Sequence, residues 1–110
     1  MPTIAPPLPT TTPDNDTKPK LLPPYAVVVY NDDYHTFEYV VTGFQKVFGY
    51  SFQKCYQLAI MIHHGGQAVV WTGSKEVAEL KKDQIESLGP DPAALVPVTW
   101  PLQVALEPMA

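Results

Sequence analysis

The chain has 110 residues, 45% of them apolar, and a formal charge of -4 that sets seven lysines and no arginine against eleven acidic side chains. That is enough for one small domain with a core. The lack of a guanidinium fork or a basic stripe argues against a nucleic-acid partner. Cys55 stands alone, which excludes an intrachain disulfide and fits a reducing compartment. No apolar run approaches the roughly 20 residues that span a bilayer, and the opening MPTIAPPLPT has neither a charged start nor an apolar leader core. The expectation is a cytoplasmic protein without a membrane partner.

Residues 1–24 carry eight of the 13 prolines, mixed with Thr, Asp and Lys. Such a stretch cannot bury enough surface to order itself, so it reads as a flexible Pro/Thr-rich extension. The domain then occupies residues 25–110. It opens with a β-branched run, Tyr25 to Tyr30, stopped by Asn31-Asp32-Asp33. Thr36 is placed to cap a helix whose apolar residues Phe37, Val40, Val41, Phe44, Val47 and Phe48 recur at spacings of three and four until Gly49. Ser51 caps a second helix with Cys55, Leu58, Ala59 and Ile62 as its main stripe, widened by Phe52, Ile60 and Met61. This helix ends at His63-His64-Gly65-Gly66. Gln67 to Trp71 reads as a second strand, broken by Thr72-Gly73-Ser74. Ser74 caps a third helix with Val77, Ala78, Leu80, Ile85 and Leu88 as apolar positions, and Gly89-Pro90 ends it. After a Pro-rich connection, Leu102, Val104 and Leu106 alternate with Gln103, Ala105 and Glu107, the period of a half-buried strand. The order β-α-α-β-α-β predicts an α+β fold, a small three-stranded antiparallel sheet packed against three helices.

Asp32, Asp33, His35, His63 and His64 are ordinary ligand types for zinc or iron, yet their spacing matches no recognised ligand pattern. Adjacent histidines at a helix end point in different directions, and a C-terminal histidine is already favoured there by the helix dipole. Cys55 lies within an apolar stripe, where a thiol behaves as a small hydrophobe. Ser51 and Ser74 serve as caps, and no phosphate loop or nucleophile elbow is present. Binding is favoured over catalysis, and no cofactor is expected. A carboxylate beside an amide carbonyl offers acceptors to a cation, although Asn-Asp-Asp on its own reads first as an Asx-type turn with Asp as an N-cap. The residues leave a peptide-binding module and a small metal-dependent hydrolase as alternatives.

Residues 24 to 107 resemble the ClpS family of adaptors, which recognise N-degrons and deliver them to the Clp AAA+ protease. The resemblance lies in Asn31-Asp32-Asp33-Tyr34 after a valine strand, in Glu38-Tyr39-Val40 and Gln45-Lys46-Val47-Phe48, and in Gln57-Leu58 before His63. It continues through Gly66-Gln67-Ala68 and Glu76-Val77-Ala78-Glu79 to Pro101-Leu102, Leu106 and Glu107. The resemblance implies a non-enzymatic adaptor that binds substrates beginning with Leu, Phe, Tyr or Trp. Asn31, Asp32 and His63 would hold the α-amino group. His35, Phe37, Val40, Ala59, Ile62 and Leu102 would line the pocket for the first side chain. Glu76 and Lys81 would meet the N-terminal domain of a ClpA- or ClpC-type unfoldase working with ClpP, which would engage residues 1–24 during hand-off. The chain departs from the family's usual pattern in having His35-Thr36-Phe37 for Thr-Pro-Met and Ala59 for a pocket methionine.

Overall fold

The computed structural model describes residues 22–109. Residues 1–21, most of the expected N-terminal extension, lie outside the described part. The elements follow the predicted order: β1 Tyr25–Tyr30, α1 Phe37–Phe48, α2 Phe52–Gly65, β2 Gln67–Gly73, α3 Lys75–Glu86 and β3 Gln103–Pro108. No helix among the described residues is long and apolar enough to cross a membrane.

Each helix begins on a hydroxyl. Thr36, Ser51 and Ser74 hold extended backbone, and their side chains accept from the N–H groups of Tyr39, Lys54 and Val77, satisfying donors that a helix start leaves unpaired. Gly49 and Gly66 close α1 and α2 at φ 70° and 89°, in the left-handed region where a Cβ is penalised.

β1 is the centre of the sheet, with antiparallel β2 on one side and antiparallel β3 on the other. The β1–β2 register passes from Val28 opposite Val69 to Val27 opposite Trp71, leaving Val70 as an extra residue in a bulge. Val27, Val29, Ala68, Val70 and Val104 from the sheet join Val40, Val41 and Phe44 of α1, the Cys55–Leu58–Ala59–Ile62 stripe of α2, and Ala78 and Ile85 of α3 in one buried cluster.

Three boundaries and two helix faces differ from the expectation. β2 runs on to Gly73, because Thr72 and Gly73 still pair with Ala26 and Tyr25. α3 stops at Glu86, where the Ser87 and Leu88 N–H groups fold back onto the carbonyls of Asp83 and Ile85. β3 starts at Gln103, the partner of Tyr30 at the end of β1. On α2 the apolar stripe is narrower than predicted, for Phe52, Ile60 and Met61 face solvent. On α3, Val77 and Leu80 are likewise exposed and only Ala78 and Ile85 are buried.

Phe44 sits fully buried at the centre of this cluster. Phe44→Ala is expected to destabilise the domain by about 3–5 kcal/mol, measured as a lower urea midpoint at unchanged m value.

Candidate functional site

The mouth of the molecule is built where β1 ends. The Asn31 N–H donates to the Gly66 carbonyl at 2.9 Å, which ties the strand end to the α2–β2 corner and so to the last turn of α2, which carries His63. The Asn31 amide donates to Asp33 Oδ1 at 2.9 Å and accepts from the Asp33 N–H at 3.3 Å. Asp33 has φ 66°, a conformation in which Asn and Asp are enriched several-fold. It belongs to the turn, as the sequence indicated.

Asp32 makes the most contacts. Its Oδ1 accepts from the N–H groups of Tyr34 and His35 at 2.9 and 3.0 Å, and its Oδ2 meets His35 Nδ1 at 2.5 Å and Trp100 Nε1 at 3.2 Å. Two carboxylate oxygens offer about four acceptor positions, and this residue uses that many. Burial raises its pKa, but the hydrogen bonds from the His35 and Tyr34 backbone, with the His35 ring, outweigh burial and hold the carboxyl below the usual carboxylate range.

His35 is buried rather than facing solvent. Its Nε2 lies 3.1 Å from the Trp100 carbonyl while Nδ1 faces Asp32. Both ring nitrogens thus face oxygen atoms, and the two contacts fix the orientation of the ring. The Tyr34 ring packs edge-on against Trp100 at 5.4 Å. Trp100 is therefore held by its indole N–H, its carbonyl and its ring.

A second carboxylate anchors the same connection at its other end. Asp91 is buried, and its side chain accepts from the Thr36 N–H at 2.6 Å and the Ala93 N–H at 2.9 Å. Here too burial pushes the pKa up, and the backbone donors of Thr36 and Ala93 bring it below the usual range. Asp91 and Asp32 pin the segment from residue 90 to 101 against the turn that starts α1.

Between the turn and that segment lies a cavity of about 480 Å³ lined by Asp33, Tyr34, His35, Phe37, His63, Leu95 and Val96, among others. It gathers three of the expected site residues, His35, Phe37 and His63, whereas His64 is not in its lining. Val40, Ala59, Ile62 and Leu102 do not reach it. They are buried in the core cluster, against which Phe37 packs. Glu76 is exposed in the first turn of α3. Lys81 is engaged, its ammonium donating to the Val47 carbonyl at 3.0 Å and lying 5.7 Å from the Phe48 ring.

Sequence reasoning missed Asp91, Leu95, Val96 and Trp100. Asp91 had one usable signal: it is the only charged residue between Ser87 and Leu102, and a lone carboxylate in an apolar stretch needs partners when buried. Cys55 is buried in the core, and burial pushes its thiol up, so it stays protonated. Among the described residues no three His, Cys, Asp or Glu side chains form a metal-ligand group.

Since Asp32 and Asp91 ionise more readily in the fold, the unfolded chain binds more protons near pH 4 than the folded one. Their stabilisation is complete above the unfolded carboxylate value of about 3.9 and is lost as pH falls through the lower folded values. Urea unfolding at pH 6 and pH 3 is expected to show a loss of stability that is smaller in Asp91→Asn, whose remaining donors no longer depend on ionisation.

Comparison with known proteins now bears on this geometry. The family model "ATP-dependent Clp protease adaptor protein ClpS" matches residues 20–93. A Nostoc protein named "ATP-dependent Clp protease adapter protein ClpS" is 39% identical over 84 residues, covering 74% of this chain and 87% of the relative. A Pectobacterium carotovorum protein of the same name is 43% identical over 70 residues, covering 62% and 66%. Among solved structures, Agrobacterium tumefaciens ClpS2 bound to L-phenylalaninamide aligns with a TM-score of 0.69 at 28% identity, over 81% of this chain and 100% of that one. By the family match over residues 20–93 and these identities, this chain belongs to the ClpS family of Clp protease adaptors.

Proposed function

We propose that this chain is a non-catalytic cytoplasmic adaptor that binds the free N-terminus of proteins beginning with Leu, Phe, Tyr or Trp and delivers them to a Clp AAA+ unfoldase. The observation that carries the reading is the cavity between His63 and the turn of residues 33–37, set beside the acidic end of β1. The Agrobacterium structure adds support, because L-phenylalaninamide combines a free α-amino group with an aromatic side chain.

An N-terminal amine is mostly protonated near neutral pH, with a pKa of about 7.7–8.0. It brings only donors. The Asn31 side-chain oxygen and a ring nitrogen of His63 supply the acceptors. Asp32, whose lone pairs are committed to its neighbours, acts mainly through its negative charge. The first side chain enters past Phe37 toward Val40, Ala59, Ile62 and Leu102, which form an apolar floor beneath that ring, while His35 forms the side wall. Because the floor is closed over, entry requires the Phe37 ring to swing away from Tyr56, against which it packs edge-on at 4.9 Å; rotamer changes of this kind are common on binding.

Charge-assisted hydrogen bonds contribute about 1.5–3 kcal/mol each and burial of a Leu or Phe side chain about 1.5–3 more. After the several kcal/mol lost on association, micromolar or somewhat tighter binding is expected, about -8 kcal/mol at 1 μM. Neither the amine nor the side chain suffices alone. At the opposite end of the domain, exposed Glu76 meets the N-terminal domain of a ClpA- or ClpC-type unfoldase that works with ClpP. Lys81, held against the end of α1, contributes its charge to the same surface. Residues 1–24 are engaged by the unfoldase during hand-off.

Fluorescence titration tests the amine site and pocket together. A short peptide beginning with free Leu or Phe is expected to bind at least tenfold more tightly than its acetylated or Val-initial counterpart. Equal affinities for the free and acetylated forms would contradict the reading. Asp32→Ala is expected to abolish peptide binding while the domain stays folded by circular dichroism. Glu76→Lys is expected to weaken binding to the isolated unfoldase N-terminal domain several-fold, with peptide affinity unchanged, as judged by separate titrations of the two ligands.

A further inference from the structure

A second cavity, of about 410 Å³, lies on the other side of Phe37 between α1 and α2. Phe37, Val41, Phe52 and Tyr56 form its apolar lining, with Glu38 and Gln45 among its polar residues. Phe52 and Tyr56 are 59% and 43% exposed. Exposed apolar surface that is contiguous marks interaction sites more often than scattered single residues do. Phe52 and Tyr56 pack on each other at 6.0 Å, a contact that does not depend on the position of the Phe37 ring.

Two features say what would lie there. Phe37 also lines the cavity that holds His63, so the two cavities adjoin at that ring, and a chain leaving the first over Phe37 would enter the second. Tyr56 and His63 both belong to α2, and their separation in sequence corresponds to about 10 Å along the helix. An extended peptide covers that distance in about three residues at roughly 3.3 Å each. Glu38 is the one charged group among the described residues that line the cavity, so a carboxylate there would be repelled.

We propose that the α1–α2 groove is a second substrate subsite, which takes an uncharged apolar side chain at about the fourth residue of the bound polypeptide and disfavours an acidic one. This inference rests on the proposed reading of the amine site. It gives the adaptor a selectivity beyond the first residue, through a surface that shares only Phe37 with the lining of the first cavity.

The test uses fluorescein-labelled peptides with a free N-terminal Phe, glycine at the other positions, and Leu, Gly or Asp at position four. Binding is followed by anisotropy against the full chain. The Leu peptide is expected to bind at least threefold more tightly than the Gly peptide, and the Asp peptide more weakly than either. Phe52→Ala, which removes only an exposed ring, is expected to cancel the Leu-over-Gly preference while leaving the affinity for L-phenylalaninamide unchanged. Equal binding of the Leu and Gly peptides, or a preference that survives Phe52→Ala, would overturn the subsite while acetylation of the N-terminus still abolished binding. If acetylation had no effect, the amine reading itself would fall, and the subsite with it.

Discussion

Four N–H donors converge on the carboxylate of Asp32, and the shape of the mouth depends on that convergence. Two come from the backbone of the turn, at Tyr34 and His35, one from the His35 ring, and one from the indole of Trp100, which is distant in sequence. The backbone pair closes the turn that sends the chain from β1 into α1. The side-chain pair fastens the segment leading to β3 across that turn. A partly buried carboxylate is costly unless its oxygens are satisfied, and Asp32 meets that cost with these four donors. Replacing the carboxylate by a methyl group would leave the buried His35 ring without its partner on Nδ1 and free the exposed Trp100 indole.

This convergence also explains why the site sits at one end of the domain. The sheet has its strongest continuity at β1, which is paired on both sides, and β1 delivers Asn31 and Asp32 to its end as a rigid rod would. α2 delivers His63 to the same place because the Asn31 N–H is bound to the carbonyl of Gly66. Charge is divided accordingly. Asp32 and Asp91 face backbone and ring N–H donors, whereas Lys81 and the Lys82–Glu86 pair lie on α3. Substrate and unfoldase would thus meet different elements joined by one core.

Much of the fold was legible because local signals and hydrophobic period agreed. Thr36, Ser51 and Ser74 were each a hydroxyl immediately before an apolar run, and each became a helix cap. The family resemblance assigned Asn31, Asp32 and His63 to the amine, and of the two histidines it preferred His63, the one that lines the cavity. Less legible was the 90–101 connection. It has no periodicity, and the contacts that fix it, Asp91 to Thr36 and Trp100 to Asp32, join residues 55 and 68 positions apart. The burial of His35 was not legible for the same reason, since its second partner is the Trp100 carbonyl. The outward turn of Phe52, Ile60 and Met61 was missed on other grounds: an apolar side chain looks the same in sequence whether it faces a core or a partner. Val40, Ala59, Ile62 and Leu102 illustrate the converse: expected to line a pocket, they lie in the core cluster, and a pocket lining and a core share one composition.

The central claim is that a free ammonium group is received between Asn31, Asp32 and His63. The most direct measurement is a two-dimensional ¹⁵N–¹H NMR titration of the full chain with a short peptide that begins with unmodified Phe, repeated with the same peptide acetylated. The account predicts saturable shifts of the backbone amides of residues 31 to 37 and of His63 with the free peptide, and none of them with the acetylated one. Shifts confined to α3, or the same perturbation of the mouth by both peptides, would contradict it.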